Sequence, residues 1–244
     1  QDGYGLFTEP GTNNWFFSSP GDFLTFDALD FYAKESKPDD IVGLKCHRRE
    51  PFVFGGDATE VWYNAGGNNA SASTPTFARN TGGLIEHGCG AVGSPTTFDG
   101  EAMTWLTDHG QVVQAVGYNA KIVSNQMFDR TVQGYTQFSD AIAFSYRDQG
   151  HIFYQITFPA GKETWVLDGT TQLWFKRSSY LDDGSGYGRH RANCYALLNN
   201  KHYVGDYSNG KIYKMSTSYY SDAGEEIKRT LYSKEIESGL ARTF

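Results

Sequence analysis

Four times along the chain a polar turn delivers the backbone into an aromatic or β-branched run, and each time another such run precedes the turn. Residues 57–63 (DATEVWY) follow 51–54, residues 108–113 (DHGQVV) follow 102–106, residues 168–174 (DGTTQLW) follow 164–167, and residues 208–213 (SNGKIY) follow 202–205. Two such runs joined by a short turn carrying Gly, Asn or Asp form a hairpin. Aromatic and β-branched side chains suit a pleated, half-buried surface. The same design joins 152–158 (IFYQITF) to 164–167 through Ala160-Gly161, and 194–198 (CYALL) to 202–204 through Asn199-Asn200. Glycine outnumbers proline 28 to 7, as many tight turns require. Residues 23–33 (FLTFDALDFYA) fit a helical turn or an outer strand, and no long helix is expected. The fold class is all-β.

The recurring unit is irregular, roughly 40 to 60 residues long, close to one four-stranded propeller blade. No signature dipeptide is shared. From the pattern alone, a β-propeller of four-stranded antiparallel blades and a sandwich or other β-rich stack both remain open. On the propeller reading about four blades are visible, near residues 41–88, 94–124, 139–178 and 190–232. The glycine-rich stretches 66–75 (GGNNASASTP) and 181–188 (LDDGSGYG) are too short for interdomain linkers, so residues 1–244 read as a single domain. A 39% hydrophobic and 16% aromatic content supplies a sizeable core and excludes intrinsic disorder. No run approaches the roughly 18 apolar residues of a membrane-spanning helix. The formal charge of −7 argues against wrapping duplex DNA by neutralising its phosphates.

Motifs that could carry chemistry are sparse. Cys46-His47 and His87-Gly88-Cys89 offer borderline-soft metal ligands, but neighbouring strand residues point to opposite faces, so only His87 and Cys89 could share an ion. With Cys194 the three cysteines imply no disulfide framework. There is no Gly-x-Ser-x-Gly elbow. The carboxylate pairs Asp39-Asp40, Asp182-Asp183 and Glu225-Glu226 sit in turn-like polar surroundings. A glycoside hydrolase or carbohydrate-binding propeller would need one such pair facing a cleft flanked by exposed Trp or Tyr. Residues 184–188 (GSGYG) lack the Lys-Ser/Thr of a phosphate loop and read as a connector. Asn69-Ala70-Ser71 matches a glycosylation acceptor without a secretory signal beside it. Arg189-His190-Arg191 and Arg48-Arg49 are the densest basic clusters; they suit solvated strand edges or an acidic partner surface. No cofactor or metal is expected.

Taken in order, several phrases resemble one family. They are residues 15–19 (WFFSS), 26–31 (FDALDF) and 38–44 (PDDIVGL), then 60–66 (EVWYNAG), 150–159 (GHIFYQITFP) and 164–168 (TWVLD), and finally 188–194 (GRHRANC), 204–207 (VGDY) and 209–213 (NGKIY). From about Trp15 to about Arg229 the chain resembles the packaged-DNA stabilisation proteins of short-tailed, Salmonella-phage-type podoviruses. The resemblance implies a non-enzymatic virion component with a β-propeller body. Its copies would form a homo-oligomeric ring as the tail hub, or nozzle, below the portal and its head-to-tail adaptor. The tail needle or plug and the tailspikes would attach to it, and passing DNA would meet no sequence-specific site. It would be assembled in the host cytoplasm and carried in the phage tail, with no membrane partner. An acidic lumen would let DNA slide, since like charges deny it a resting place. Asn68, Asn69, Asp182, Asp183, Arg189 and Arg191 are the candidate assembly contacts. Family members are longer, and Gln1 stands where an initiator methionine would, so the chain is expected to be a piece whose remaining blades come from an upstream segment. Trp105 and Trp165 are expected in the core.

Overall fold

The computed structural model describes residues 1–67, 74–181, 183–227, 229 and 231. Its strands meander within successive antiparallel sheets. The first sheet holds β1 (Leu6–Thr8), β2 (Asn14–Phe17) and β3 (Phe31–Ala33); the second holds β4 (Ile41–His47), β5 (Glu50–Gly55), β6 (Thr59–Asn64) and β7 (Phe77–Ile85). The third comprises β8 (Thr96–Phe98), β9 (Ala102–Leu106), β10 (Val112–Val116) and β11 (Asn119–Ile122), and is followed by the helix α1 (Gln126–Gln133). The fourth comprises β12 (Ile142–Asp148), β13 (His151–Phe158), β14 (Glu163–Asp168), β15 (Leu173–Tyr180) and β16 (Tyr187–Arg189). The fifth comprises β17 (Ala192–Leu198), β18 (Lys201–Asp206) and β19 (Ile212–Met215), and β20 (Ser221–Asp222) with β21 (Glu225–Glu226) forms a small hairpin.

The first strands of neighbouring sheets adjoin: β1 lies by β4, β8 by β12 and β12 by β17. His47 of β4 meets Thr97 of β8 at 3.4 Å, and Ser145 of β12 donates to the Thr97 carbonyl at 2.5 Å. Gly93, just ahead of β8, bridges in parallel to Ile142 at the start of β12. Sheets that meander outward from adjoining first strands are blades of a β-propeller. The fold class is therefore as expected, and the meander continues into an N-terminal sheet. Residues 23–33 resolve into a loop followed by the outer strand β3.

Aromatic residues fill three of the junctions. Trp15 and Phe17 of the first sheet pack with Val53, Trp62 and Phe77 of the second, the two indoles edge-on at 5.3 Å. Phe52, Phe54 and Val61 meet Met103, Trp105 and Val113 of the third sheet. Leu106 and Val112 then meet Tyr154, Ile156, Phe158, Trp165 and Leu167 of the fourth, with Phe128 and Val132 of α1 inserted beside them. Trp105 and Trp165 are fully buried, as expected. β9 is buried along its whole length because Met103 and Trp105 serve one junction while Ala102 and Leu106 serve the other. A strand covered on both faces needs no polar alternation, which is why 102–106 reads as an apolar run interrupted by Thr104 alone.

Polar turns repeat from sheet to sheet. Asp168 accepts from the Thr170 and Thr171 backbone N–H groups, and Asp206 from that of Ser208, each closing the turn after the middle strand. In the turn from β9 to β10 Thr107 accepts from the Gln111 N–H at 3.2 Å. Arg48 and Arg49 occupy the two-residue turn between β4 and β5 with φ of 49° and 68°, the left-handed region that a tight hairpin demands.

Candidate assembly surfaces and the inter-sheet cleft

The fourth junction is built differently. β13 and β14 turn Tyr154, Ile156, Phe158, Trp165 and Leu167 toward the third sheet, so the alternate residues Phe153, Gln155, Thr157, Thr164 and Val166 face the fifth. This face is largely polar and hydrogen-bonded. Thr157 and Thr164 pair through their hydroxyls at 3.0 Å, and Thr164 also accepts from the His190 N–H at 3.0 Å. Arg177 donates to Tyr146 Oη at 2.7 Å and Gln155 Oε1 at 2.9 Å. Phe144 stacks on Tyr195 of β17 at 5.4 Å and 7°. Between the sheets lies a cleft of about 700 Å³ whose walls include Tyr146, Phe153, Arg177, His190, Tyr213 and Asp222.

His190 is neutral here. Its Nδ1 accepts from the Ala192 N–H at 3.3 Å and lies 3.2 Å from Gln155 Nε2. Burial, with Arg177 and Arg191 nearby, lowers its pKa from 6.5 to about 3. A proton on Nδ1 would cost the Ala192 bond as well.

Of the six expected contact residues, Asn68, Asn69 and Asp182 lie outside the described residues. Arg191 is buried and ties the fifth sheet to the small hairpin: its guanidinium meets Asp206 at 2.9 Å and Asp222 at 3.0 Å. Burial opposes the charged form of Asp206, but hydrogen bonds from Ser208 and Arg191 outweigh it and hold the carboxyl below its ordinary range. Arg189 is half-buried, its guanidinium 3.6 Å from the centre of the Tyr207 ring. Asp183 is exposed in the β15–β16 connection and accepts from Ser185, beside the positive-φ glycines Gly184 and Gly186. The structure thus brings Arg189 and Arg191 to the edge of one small pocket while giving them different surroundings. Arg177, Tyr146 and Gln155 were missed by sequence reasoning. The alternation of Gln155 and Thr157 against Tyr154, Ile156 and Phe158 was the available signal.

Cys89 and Asp39 are engaged in the scaffold, whereas Cys194 is exposed. Cys89 is buried, donates to the Ala91 carbonyl at 3.1 Å, and burial pushes its pKa up to about 11. Asp39 pairs with the buried Lys34 and accepts from the Asp57 N–H at 2.6 Å. Glu225 and Glu226 are exposed on β21. Trp15, Trp62, Trp105 and Trp165 are buried, and Trp174 is half-buried with its Nε1 on the Val123 carbonyl at 2.8 Å. No group of three or more His, Cys, Asp or Glu side chains could hold a metal ion among the described residues, and no described helix is long and apolar enough to cross a membrane.

A family model described as "Bacteriophage P22 Gp10, beta-propeller", a phage stabilisation family, matches residues 1–220. The chain belongs to this family. It is accordingly a β-propeller protein of a phage DNA-stabilisation family, a structural component of the virion. No curated protein matches the chain. Among solved structures, a GH43 glycoside hydrolase engineered to display both endo-xylanase and exo-arabinofuranosidase activity aligns at 13% identity and a TM-score of 0.37, over 97% of this chain and 59% of that one. The extracellular domain of a B. thetaiotaomicron protein described as a one component system aligns at 8% identity and a TM-score of 0.32, over 87% and 36%. The chain thus spans less than two thirds of the length of either.

Proposed function

We propose that the chain is a building block of the phage tail hub, or nozzle, which continues the portal–adaptor channel and retains packaged DNA. The observation that carries this reading is the family match over residues 1–220 on a body whose tryptophans pack sheet against sheet. Side chains committed to packing make a stiff wall, and holding DNA under pressure needs a wall rather than a reaction. On this reading copies form a ring against the head-to-tail adaptor, and the tail needle and tailspikes attach to it. The exposed connector holding Asp183 and the Arg189–Tyr207 pair are contact surfaces. The net charge of −7 supports a channel on which DNA finds no resting place.

The test uses DNA-filled heads that carry portal and adaptor but lack this protein. Adding the protein is expected to protect the packaged DNA from nuclease and to permit needle and tailspike attachment. Equal DNA loss with and without it would overturn the reading.

A further inference from the structure

At about 700 Å³ the cleft between the fourth and fifth sheets has the size of a ligand site. One wall is the polar face of the fourth sheet, and the other comes from β19 and the residues after it. Arg177 stands on the first wall. Its Nη1 donates to Tyr146 Oη and Gln155 Oε1 and lies 3.9 Å from Met215 Sδ of the opposite wall. The Tyr146 and Phe175 ring centres are 5.8 Å and 5.9 Å from the guanidinium. These contacts fix the group and leave Nε and Nη2 without an acceptor among the described residues.

No described carboxylate answers this charge. Of the two acids on the cleft walls, Asp222 is held by Arg191 at 3.0 Å, and Asp148 forms no ion pair with Arg177. Lys214 and Arg229 line the same cleft, and His190 is kept neutral there by burial and by Arg177 and Arg191. The cleft is therefore cationic on a chain whose formal charge is −7.

A guanidinium with its Nε–Nη2 edge open matches the two oxygens of a carboxylate. Phe153, Met215 and Ile227 make the neighbouring surface apolar. Such a surface suits an amino-acid side chain better than a sugar ring, whose hydroxyls would lose water without gaining partners.

We propose that this cleft binds a glutamate or aspartate side chain of a partner protein, with the carboxylate on the Nε–Nη2 edge of Arg177 and an apolar neighbour against Phe153 and Met215. That another tail protein presents the acid rests on the hub reading; the carboxylate slot itself does not.

The test follows backbone amide shifts of the isotope-labelled chain, read at Ser178 and Met215, during titration with four probes. These are N-acetyl-Phe-Glu-amide, N-acetyl-Phe-Gln-amide, glucuronate and inorganic phosphate. The glutamate dipeptide is expected to bind saturably, and the glutamine one at least about tenfold more weakly. Arg177→Lys keeps the charge but loses the fork, and should weaken binding by at least about tenfold, with its unfolding midpoint compared with wild type. Should that variant fold poorly, Met215→Glu replaces it: a carboxylate beside Nη1 would occupy Arg177 from within the chain and abolish binding. The absence of saturable shifts with the glutamate dipeptide would overturn the slot, as would equal binding of the glutamine one or unchanged binding in Arg177→Lys. Glucuronate or phosphate binding more tightly than the glutamate dipeptide would overturn the assignment to a protein side chain. Nuclease protection of filled heads decides the hub reading separately, so either can fail while the other stands.

Discussion

Individual side chains here are mostly committed to holding one sheet on another. Trp105 donates its Nε1 to the Gly88 carbonyl at 2.9 Å and packs on Phe54, and Trp165 packs edge-on against Phe128. Replacing either by alanine should cost about 3–5 kcal/mol in denaturant unfolding, the price of an empty indole-sized space. His190 makes a prediction about pH. Its folded pKa of about 3 lies below the ordinary 6.5, so the unfolded chain takes up the proton first as pH falls. Its contribution is complete above pH 6.5 and is lost progressively toward pH 3. The loss should be about 2 kcal/mol by about pH 5. Unfolding free energies of wild type and His190→Gln at pH 7 and 5 should show a shallower acid slope in the variant. Asp168 and Asp206, whose hydrogen bonds hold their carboxyls low, add their losses at more acid pH.

At the scale of elements, the close approach of connections matters as much as strand pairing. A Cβ on Gly88 would fall 1.6 Å from the Gly56 carbonyl oxygen, so the loop after β7 can cross the β5–β6 turn only without a side chain. Gly88→Ala should destabilise by at least about 1–3 kcal/mol, read from the unfolding midpoint, because backbone rather than a flexible side chain must move. The helix α1 is local in origin: Asn125 accepts from the Phe128 N–H at 2.9 Å, and Phe128 and Val132, one turn apart, supply its buried face. The hairpins were legible because Asn199-Asn200, Asp168-Gly169 and Asn209-Gly210 carry their own turn chemistry. The N-terminal sheet was harder to see. β1 and β3 are three residues each, too short for alternation to show, and they are ordered by packing on Trp62 and Phe77.

For the whole molecule, the change from apolar to polar junctions along the row sets an order of stability. The first three junctions are filled by aromatic and aliphatic side chains, whereas the fourth relies on hydrogen bonds, Arg191 and a water-accessible cleft. Hydrogen exchange should therefore show the fifth sheet opening before the third and fourth, with amides of β17–β19 less protected than those of β9, β10, β13 and β14. Equal protection across these strands would mean that the polar junction is as strong as the apolar ones.

The all-β class, the hairpins and the burial of Trp105 and Trp165 were readable from the residues alone, because turn chemistry and side-chain shape act over a few residues. The ordered phrases of the sequence also pointed to the family. Three-dimensional packing alone makes Arg191 an internal tie and lets Gln155 and Arg177 build a polar junction. Which side of a strand meets a neighbour depends on residues far away in the chain, and a charge is internal or external only once its partners have been brought to it.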